Sequence, residues 1–598
     1  MPNLQAIVAL AEKAGFTVGE RVKLPGRPAQ YQPIPSGLNP KVKELFERRF
    51  GRGLYTHQAR ALEASLQGRN ICVATSTASG KTEIFMAVAA HLLFSEPASK
   101  VIAMYPARAL IQDQKIKWNG LMGQLGLTVG HIDGGIPVKE RDAVVQKGRV
   151  LLMTPDVAQA WLMRSLAEKA IASLMKNLKL LILDEAHVYD GVFGTNMAYF
   201  LRRFEVAAGK HQVILSTATL KDGNELAGRL TGRQFDFVGT SDEGHEVPEK
   251  TVCLLTSPAG SSGKQLEFMA DLLSNLGDLA RAERFRFLAF ADSRKMVEQV
   301  VVMTQRTITE REDNESDDQP GGDPEDDSND ANSDREYKIL PYRAGYEEAD
   351  RIQIQSSLGE GKLAGVVSTS ALELGIDIGE IDVMVFLGVA PSMKAFWQRL
   401  GRAGRKHPAV CLLIDNQGFV EEVGGLAKYM ERPLEPNWLY LQNRYIQYSH
   451  VLCAAFELAG QSITKDQLKP FDSLPETFRR LLDNELNPKE AVPQDLYELK
   501  QRAQAGPHQE FPLRSAVEPN FRVRGPHDLP MGDLSYQHAL REAYPGAIYY
   551  YMARPYRAFQ FNYRQGEIRV RHEKRWTTKP NSSRMRKNDR FPFDSHVE

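Results

Sequence analysis

The chain has 598 residues, of which 42% are hydrophobic and 25% are charged, and this composition is typical of a globular protein and argues against wholesale disorder. Lys plus Arg and Asp plus Glu number 75 each, so the net charge alone indicates no particular partner. The sequence lacks an apolar run of the ~18 residues that a membrane span needs, and it lacks a signal-peptide pattern. We therefore expect a cytoplasmic protein with no membrane partner, in which two large domains carry smaller attachments.

The cysteines occur singly along the chain, at positions 72, 253, 411 and 453. None forms a pair with the spacing that a tetrahedral metal site requires. We therefore expect reduced, buried thiols and no cysteine metal site.

The chain begins with an extension over residues 1–48. A short amphipathic helix is predicted over residues 4–14, and a Pro-rich tether over residues 25–40. We expect the first large domain to start after this tether.

Two long segments alternate short apolar runs with helical patterns, which is typical of α/β domains with a parallel sheet. The first lobe is predicted over residues 49–245 and the second over residues 246–425. The predicted strands of the first lobe are 71–74, 101–104, 150–153, 180–183 and 212–215, and those of the second are 285–290, 364–367, 383–387 and 410–414.

An acidic segment over residues 310–336 interrupts the second lobe. It holds 13 acidic and two basic side chains and almost nothing apolar, so we expect a disordered surface insertion. A solvated spacer is favoured over a segment that mimics nucleic acid.

A helical or winged-helix-like region is predicted over residues 426–505, followed by a small β-rich module over residues 506–598. Residues 554–590 hold 12 Lys or Arg side chains against three acidic ones, interleaved with aromatic residues. Basic and aromatic side chains together suit nucleic acid, and we predict that Arg569, Arg571 and Arg575 contact phosphates. For the aromatic residues, stacking on bases and packing in the module's own core remain equally open.

The first predicted strand runs directly into residues 75–82, a Ser- and Gly-rich turn followed by a helix, which predicts a phosphate-binding loop. Gly80 lets the backbone approach phosphates, Lys81 reaches the β- and γ-phosphates, and Thr82 ligates Mg²⁺. The strict pattern has glycine where Thr75 stands. The predicted ATP-binding residues of this loop are Thr77, Ala78, Ser79, Gly80, Lys81 and Thr82.

A second apolar run ends in Asp184-Glu185-Ala186-His187, and an acidic pair at the end of a buried strand is otherwise costly. We predict that Asp184 holds Mg²⁺ and that Glu185 polarises the attacking water. We predict that His187 relays the nucleotide state to the neighbouring motif.

Residues 398–405 form a third motif, Gln398-Arg399-Leu400-Gly401-Arg402-Ala403-Gly404-Arg405. It is predicted to begin a helix of the second lobe, with arginines three residues apart on one face. Arginines supplied across a cleft stabilise the charge of phosphoryl transfer, so Gln398, Arg402 and Arg405 are predicted to be catalytic together with the residues of the first lobe.

These motifs resemble, in order, those of a superfamily 2 helicase. Gln58 resembles the adenine-reading glutamine, residues 105–110 and 154–156 resemble strand-binding motifs, and residues 216–219 and 368–377 resemble the motifs that couple ATP to nucleic acid. The resemblance implies a two-lobed RecA-like fold: an α/β protein with two tandem RecA-like parallel-sheet lobes, a helical region and a small β-rich C-terminal module. It adds Gln58, Gly375 and Asp377 as ATP-binding residues, Ser216, Thr217 and Thr219 as coupling residues, and Arg108, Thr154, Pro155, Asp156, Ser293, Arg294, Arg343 and Thr369 as nucleic-acid contacts.

More narrowly, the chain is similar to the mitomycin-repair and Hrq-type, Lhr-related branch of DEAH-box DNA helicases. The similarity lies in residues 189–196, 342–346 and 545–549. It implies ATP- and Mg²⁺-dependent 3′ to 5′ movement on single-stranded DNA. That branch normally ends in a four-cysteine zinc module, and the given sequence stops without those cysteines. Three explanations stay open: the sequence is cut short, a separate protein partner supplies the module, or the function has drifted. A partner nuclease is a further candidate.

The leading interpretation is a DNA helicase in DNA repair or anti-phage defence. Two alternatives stay open. One is an ATP-gated nucleic-acid-binding subunit that recruits a partner nuclease without separating strands. The other is an RNA helicase, because the shared motifs hold phosphates and do not read the sugar.

Overall fold

The computed structural model describes residues 3–574, except 219–221, 259–262, 318–337, 374–377, 461–463, 505 and 515–519, together with two short strands at 585–587 and 595–597. Within this part of the chain no helix is long and apolar enough to cross a lipid bilayer. The described cysteines are all free and buried.

The N-terminal extension forms a helix, as predicted, but also a strand that the sequence analysis missed. Its elements are α1 (Leu4–Lys13), β1 (Thr17–Leu24), β2 (Tyr31–Gln32) and α2 (Pro40–Arg49). Strand β1 pairs antiparallel with Lys250–Thr256, the first strand of the second lobe, and the Phe16 ring contacts Phe268 there. The start of the chain is therefore built into the second lobe before the chain enters the first.

The first lobe is a seven-stranded sheet with helices between its strands. All strand pairs within this seven-stranded sheet are parallel, in the order β10-β4-β9-β8-β5-β7-β6. Its elements are β3 (Leu54–Tyr55), α3 (Thr56–Leu66), β4 (Ile71–Ala74), α4 (Lys81–Ser95), β5 (Lys100–Met104), α5 (Arg108–Gln124), β6 (Val129–Ile132), α6 (Val138–Lys147), β7 (Val150–Met153), α7 (Pro155–Val157), α8 (Lys169–Lys176), β8 (Leu178–Leu183), α9 (Gly191–Ala208), β9 (Gln212–Thr217), α10 (Gly223–Thr231) and β10 (Asp236–Val238).

The second lobe repeats this architecture with the order β1-β11-β16-β15-β12-β14-β13, parallel except for β1. The predicted class, two tandem RecA-like α/β lobes, is confirmed. The elements are β11 (Lys250–Thr256), α11 (Gln265–Glu283), β12 (Phe287–Phe290), α12 (Arg294–Asp317), β13 (Lys338–Tyr342), α13 (Glu348–Gly359), β14 (Leu363–Ser368), β15 (Val383–Phe386), α14 (Met393–Leu400), β16 (Ala409–Asp415), α15 (Phe419–Glu422) and α16 (Leu426–Met430).

Two local predictions in this lobe need correction. Helix α12 continues as far as Asp317, so the first part of the acidic segment 310–336 is helical, and its remainder lies outside the described residues. The motif at residues 398–405 does not begin a helix. Helix α14 ends at Leu400, and the rest of the motif forms a turn in which Gly404 adopts φ 63°, a left-handed conformation that favours glycine.

The described residues after α16 form a helical region, a five-stranded sheet in the order β18-β17-β21-β20-β19 and a two-stranded sheet of β22 and β23. The helical region packs on α9 of the first lobe, where the Tyr199 and Phe478 ring centroids lie 5.2 Å apart. The elements are α17 (Arg444–Leu458), α18 (Glu476–Leu486), α19 (Gln494–Ala503), α20 (Pro507–Glu510), β17 (Asn520–Arg524), β18 (Pro530–Ser535), α21 (Tyr536–Glu542), β19 (Ile548–Tyr551), β20 (Arg554–Asn562), β21 (Glu567–His572), β22 (Met585–Lys587) and β23 (Ser595–Val597).

Arg343 joins the second lobe to the C-terminal module. Its side chain is 1% exposed, and its Nε lies 2.9 Å from the Glu298 carboxylate. Its Nη2 donates to the Tyr549 hydroxyl at 3.1 Å and to the Tyr550 carbonyl at 2.6 Å. The prediction that Arg343 contacts nucleic acid is therefore corrected: the guanidinium is enclosed by protein and bonds the module to the lobe.

Arg343→Ala should lower the free energy of unfolding by about 3–5 kcal/mol, because it leaves the Glu298 carboxylate buried without its cation. Urea denaturation followed by circular dichroism measures this change. Arg569→Ala removes an exposed arginine of the C-terminal module and serves as the control, with an expected loss below about 1 kcal/mol. Equal losses of unfolding free energy in the two variants would contradict the inference that Arg343 is a buried link between the second lobe and the C-terminal module.

Candidate nucleotide and nucleic-acid sites

The phosphate-binding loop connects β4 to α4, as predicted. Ala78 has φ 62° and Gly80 φ 82°, so the loop makes the tight turn that such a site needs. The loop accommodates threonine in place of the usual glycine: the buried Thr75 hydroxyl lies 2.8 Å from the Ser79 hydroxyl. The Lys81 ammonium donates to the Thr75 carbonyl at 2.9 Å and to the Ser76 carbonyl at 2.8 Å.

Gln58 contacts this loop. Its side-chain oxygen accepts from the Tyr55 backbone N–H at 3.0 Å, and its amide nitrogen donates to the Gly80 carbonyl at 2.9 Å. The side chain is buried, so in this structure it supports the loop's backbone. The adenine-reading role of Gln58 stays a prediction.

Asp184 and Glu185 follow β8 and are both buried, and they lie beside Lys81. Burial raises the pKa of the Asp184 carboxyl, and the neighbouring Glu185 carboxylate raises it further. Burial lowers the pKa of the Lys81 ammonium. The Glu185 and Asp184 carboxylates oppose this effect, because their negative charges raise the same pKa. Lys81 follows β4 and the acidic pair follows β8, and both strands run parallel to β9, so the three groups lie at the same carboxyl edge of the sheet. The half-buried Thr82 is the second residue of α4, which begins at this edge.

His187 contacts both its own motif and the next one. Its Nδ1 lies 3.5 Å from a Glu185 carboxylate oxygen and 3.5 Å from the Ala218 backbone nitrogen. Ala218 stands directly after Ser216 and Thr217, two predicted coupling residues that are both fully buried. The histidine therefore contacts both the acidic pair and the predicted coupling motif, and its relay role stays a prediction.

A cleft of about 1320 Å³ separates the two lobes, and the phosphate-binding loop lies on one of its walls. Thr77 and Ala78 border it from the first lobe, and Gln398 and Arg405 border it from the second. The Thr77 hydroxyl donates to the Gly401 carbonyl at 3.1 Å, so the lobes touch at this point.

Arg402 is 1% exposed and donates to the Glu373 carbonyl at 2.5 Å. Burial is the main cause of the low pKa values of Lys81 and His187, and the positive charge of Arg402 lowers both further. Arg402 of the second lobe is therefore near enough to Lys81 and His187 of the first to affect both pKa values, and its catalytic role stays a prediction.

The link between the lobes contributes a carboxylate that the sequence analysis missed. Glu243 accepts from the Ser76 backbone nitrogen at 2.7 Å and from the Ser76 hydroxyl at 2.6 Å. Its other oxygen lies 2.8 Å from Arg27 of the N-terminal extension. The phosphate-binding loop is therefore bonded both to the inter-lobe link and to the start of the chain, and no local pattern in the sequence marks these residues.

A second missed feature is the segment 434–441, which leaves the second lobe and returns to the first. Glu435 accepts from the Met393 and Lys394 backbone nitrogens at 2.8 and 3.2 Å, at the start of the helix that carries Gln398. Asn437 donates to the His187 carbonyl at 3.0 Å and accepts from the Lys394 ammonium at 2.5 Å. This segment bonds the helix that carries Gln398 in one lobe to the acidic motif of the other.

The predicted strand-binding residues of the first lobe follow β5 and β7, on the same sheet edge as the nucleotide cluster. Arg108 is half exposed and reaches Glu348 of the second lobe at 3.4 Å. The buried Thr154 hydroxyl accepts from the Val157 backbone nitrogen at 3.3 Å, Pro155 begins α7, and Asp156 is half exposed. The nucleotide side and the strand side therefore occupy two halves of one edge, where α/β sheets bind ligands.

In the second lobe, Ser293 and Thr369 follow β12 and β14. Ser293 is exposed and Thr369 half-buried, and both hydroxyls accept from backbone nitrogens two or three residues ahead. Arg294 is 22% exposed and lies 3.9 Å from Glu542 of the C-terminal module. These residues stay predicted contacts.

In the C-terminal module, Arg571 is exposed and lies 5.8 Å from the centre of the half-exposed Phe559 ring. Arg569 is also half exposed but pairs with Glu567 at 2.7 Å. Tyr549 is buried in the core, whereas Phe559 and Tyr563 lie on the surface, so the aromatic residues divide between the two interpretations. Four predicted site residues lie outside the described part of the chain: Thr219, Gly375, Asp377 and Arg575.

Two family models match the chain at the two lobes. The DEAD/DEAH box helicase model matches residues 55–226, and the helicase conserved C-terminal domain model matches residues 269–407. The chain belongs to the superfamily 2 helicases. The matched regions contain the nucleotide cluster and the arginine motif described above.

Among its relatives, the chain is 29% identical to an uncharacterized ATP-dependent helicase, YprA, of Bacillus subtilis, over 72% of this chain and 56% of that protein. It is 26% identical to the ATP-dependent helicase HRQ1 of Saccharomyces cerevisiae, over 90% of this chain and 49% of that protein. The chain therefore spans about half the length of these relatives.

Among solved structures, the fold is similar to that of a DUF1998 helicase, MrfA, bound to DNA and AMPPNP. The TM-score is 0.77 at 24% identity, over 98% of this chain and 80% of that one. The similarity covers the lobes and the regions after them, so the whole described architecture is shared.

Gly401→Ala should weaken nucleotide binding, because a Cβ at this position would lie 2.3 Å from the Thr77 hydroxyl and push the lobes apart at the cleft. Overpacking of this kind costs about 1–3 kcal/mol, which corresponds to a loss of affinity of roughly 5- to 150-fold. Titration with a fluorescent ATP analogue measures the affinity.

Gly120→Ala is the matched control, because a Cβ there meets no atom within 4 Å. It should bind the analogue like the unchanged chain. Undiminished affinity of Gly401→Ala would show that contact between the lobes at Thr77 is not needed for binding.

Proposed function

We propose that the chain hydrolyses ATP and uses the energy to move along single-stranded DNA as a helicase. The observation that carries the proposal is the convergence of two lobes on one cleft, with a phosphate-binding loop on one wall and an arginine motif on the other. The proposed catalytic groups are Lys81, Asp184 and Glu185 of the first lobe and Gln398, Arg402 and Arg405 of the second.

The residues of the cluster fit ATP with Mg²⁺. Lys81 and the loop's N–H groups suit an anion, and the Thr82 hydroxyl and Asp184 carboxylate are the oxygen ligands that Mg²⁺ prefers. When bound, the metal ion neutralises charge that develops on the phosphates. Glu185 then accepts a proton from the attacking water, and the second lobe's arginines stabilise the charge of the transferred group.

The same cleft links hydrolysis to movement. The lobes touch on the nucleotide side through Thr77 and Gly401 and on the strand side through Arg108 and Glu348. A nucleotide that favours the closed arrangement therefore also changes the spacing of the strand-binding loops. Contacts of this kind hold phosphates, so movement should be largely independent of base sequence.

DNA as the substrate is proposed from the relatives and from sequence motifs. MrfA, whose fold this chain shares, was solved with DNA and an ATP analogue bound. The 3′ to 5′ direction follows from the branch that the sequence resembles. A role in repair or in anti-phage defence stays a prediction from the sequence, as do a nuclease partner and a partner that supplies a zinc module.

Glu185→Gln should reduce ATP turnover by roughly 10²- to 10⁴-fold, because the amide cannot accept the proton of the attacking water. Nucleotide binding should persist, because Lys81 and the loop are unchanged. Phosphate release and analogue binding are measured side by side. Glu205→Gln, a half-buried carboxylate of the same lobe that pairs with Arg233, is the control and should hydrolyse ATP normally.

Strand separation is tested with duplexes that carry a 3′ or a 5′ single-stranded tail. A 3′ to 5′ helicase should separate only the 3′-tailed duplex, and only with ATP. ATP hydrolysis and strand binding without separation of either duplex would favour the ATP-gated adaptor. Stronger stimulation of hydrolysis by single-stranded RNA than by DNA of the same sequence would favour the RNA helicase.

A further inference from the structure

The short segment 511–514, which precedes the first strand of the C-terminal sheet, lies on the first lobe. The Phe511 carbonyl accepts from the Gln159 amide at 3.3 Å, and the Leu513 carbonyl accepts from the Asn196 amide at 3.0 Å. The Leu513 side chain is 1% exposed and packs in the core of this lobe. The segment is thus fixed to the lobe by both backbone and side chain.

Arg514 ends this segment on the strand side of the sheet edge. Its Nε donates to the Asp156 carboxylate at 2.8 Å, and its Nη2 donates to the Pro106 carbonyl. Its guanidinium carbon lies 4.3 Å from the centre of the Phe193 ring. The arginine therefore bridges the loop after β5 and the loop after β7, which carry the two predicted strand-binding motifs.

The positive charge of Arg514 offsets a negative charge at the predicted strand-binding site. Asp156 carries a negative charge on a surface that should accept phosphates, and an unpaired carboxylate there would repel the strand. Pairing with Arg514 neutralises it. Both side chains remain about two-fifths exposed, at 41% and 39%. A guanidinium has more N–H donors than the two used in these bonds, and its planar donors match a phosphate.

We propose that Arg514 is a phosphate contact for single-stranded nucleic acid on the first lobe, presented by the segment 511–514 and oriented by Asp156. This inference rests on the proposed function, since it requires a strand across this face, and extends it. A part of the chain beyond both lobes completes the strand-binding surface of the first lobe. The alternative is that Arg514 only fastens the segment to the lobe.

The test measures binding of a fluorescently labelled oligothymidine to the full chain across a range of salt concentrations. Each phosphate neutralised on a single strand contributes about 0.7 to the slope of log affinity against log salt. Arg514→Ala and Arg514→Gln should both reduce the slope by about this amount. Glutamine can still donate a hydrogen bond to Asp156, so it removes the charge while keeping one attachment. Arg514→Lys keeps the charge and should retain most of the slope.

Arg502→Ala is the matched control. Arg502 is 38% exposed, pairs with Glu510 and lies 6.0 Å from the Phe511 ring, so it borders the same segment without reaching the strand-binding loops. Its removal should leave the salt slope unchanged. An unchanged slope for both Arg514→Ala and Arg514→Gln would overturn the proposal and leave a purely structural role. An equal reduction for Arg514→Lys would also overturn it.

Failure of this inference can be separated from failure of the proposed function. If the unchanged chain binds no single strand at any salt concentration, the proposed function itself fails, and this inference fails with it. If the unchanged chain binds with a salt-dependent slope that the Arg514 variants share, only the role of Arg514 is rejected. Melting temperatures of all variants identify any loss of folding, and Arg514→Gln provides the measurement if Arg514→Ala does not fold.

Discussion

The structure depends on one constraint: the groups that suit a triphosphate belong to two separate sheets and must meet across a cleft. The contacts described at that cleft are polar, such as the bond from Thr77 to Gly401 and the bonds from Glu243 to Ser76. Hydrogen bonds of this kind fix geometry but each contributes only about 0.5–1.5 kcal/mol net. The closed arrangement can therefore be stabilised or released by a ligand that binds both walls.

Most of the α/β architecture and the nucleotide cluster could be predicted from the sequence, because both leave local signals. Buried parallel strands are continuous apolar runs, as in Leu178–Leu183, and the phosphate-binding loop and acidic motif follow such runs directly. The strand Thr17–Leu24 was missed because it lies at the sheet edge, where most of its residues are exposed and polar. An edge strand of this composition has no apolar run to mark it.

Side-chain contacts between residues far apart in the chain are the second kind of feature that could not be predicted from the sequence. Arg343 fits a strand-binding motif by its position after β13, yet two of its partners, Tyr549 and Tyr550, lie 206 and 207 residues away in the C-terminal module. Asn437 and Glu243 stand in connecting segments without periodicity, and only the folded chain brings them to His187 and Ser76. The motif at residues 398–405 lies at the end of α14 and continues into a turn, and the spacing of its arginines does not distinguish the end of a helix from its start.

The pairing of β1 with β11 makes the second lobe a discontinuous domain, assembled from the first residues of the chain and from residues more than two hundred positions later. A fragment that begins at β11 would lack β1 and would expose the backbone N–H and C=O groups of a sheet edge. Such edges pair readily with one another, so the fragment would be prone to aggregate. Soluble production of this lobe alone would require residues 3–24 to be fused to it, for example as a circular permutant.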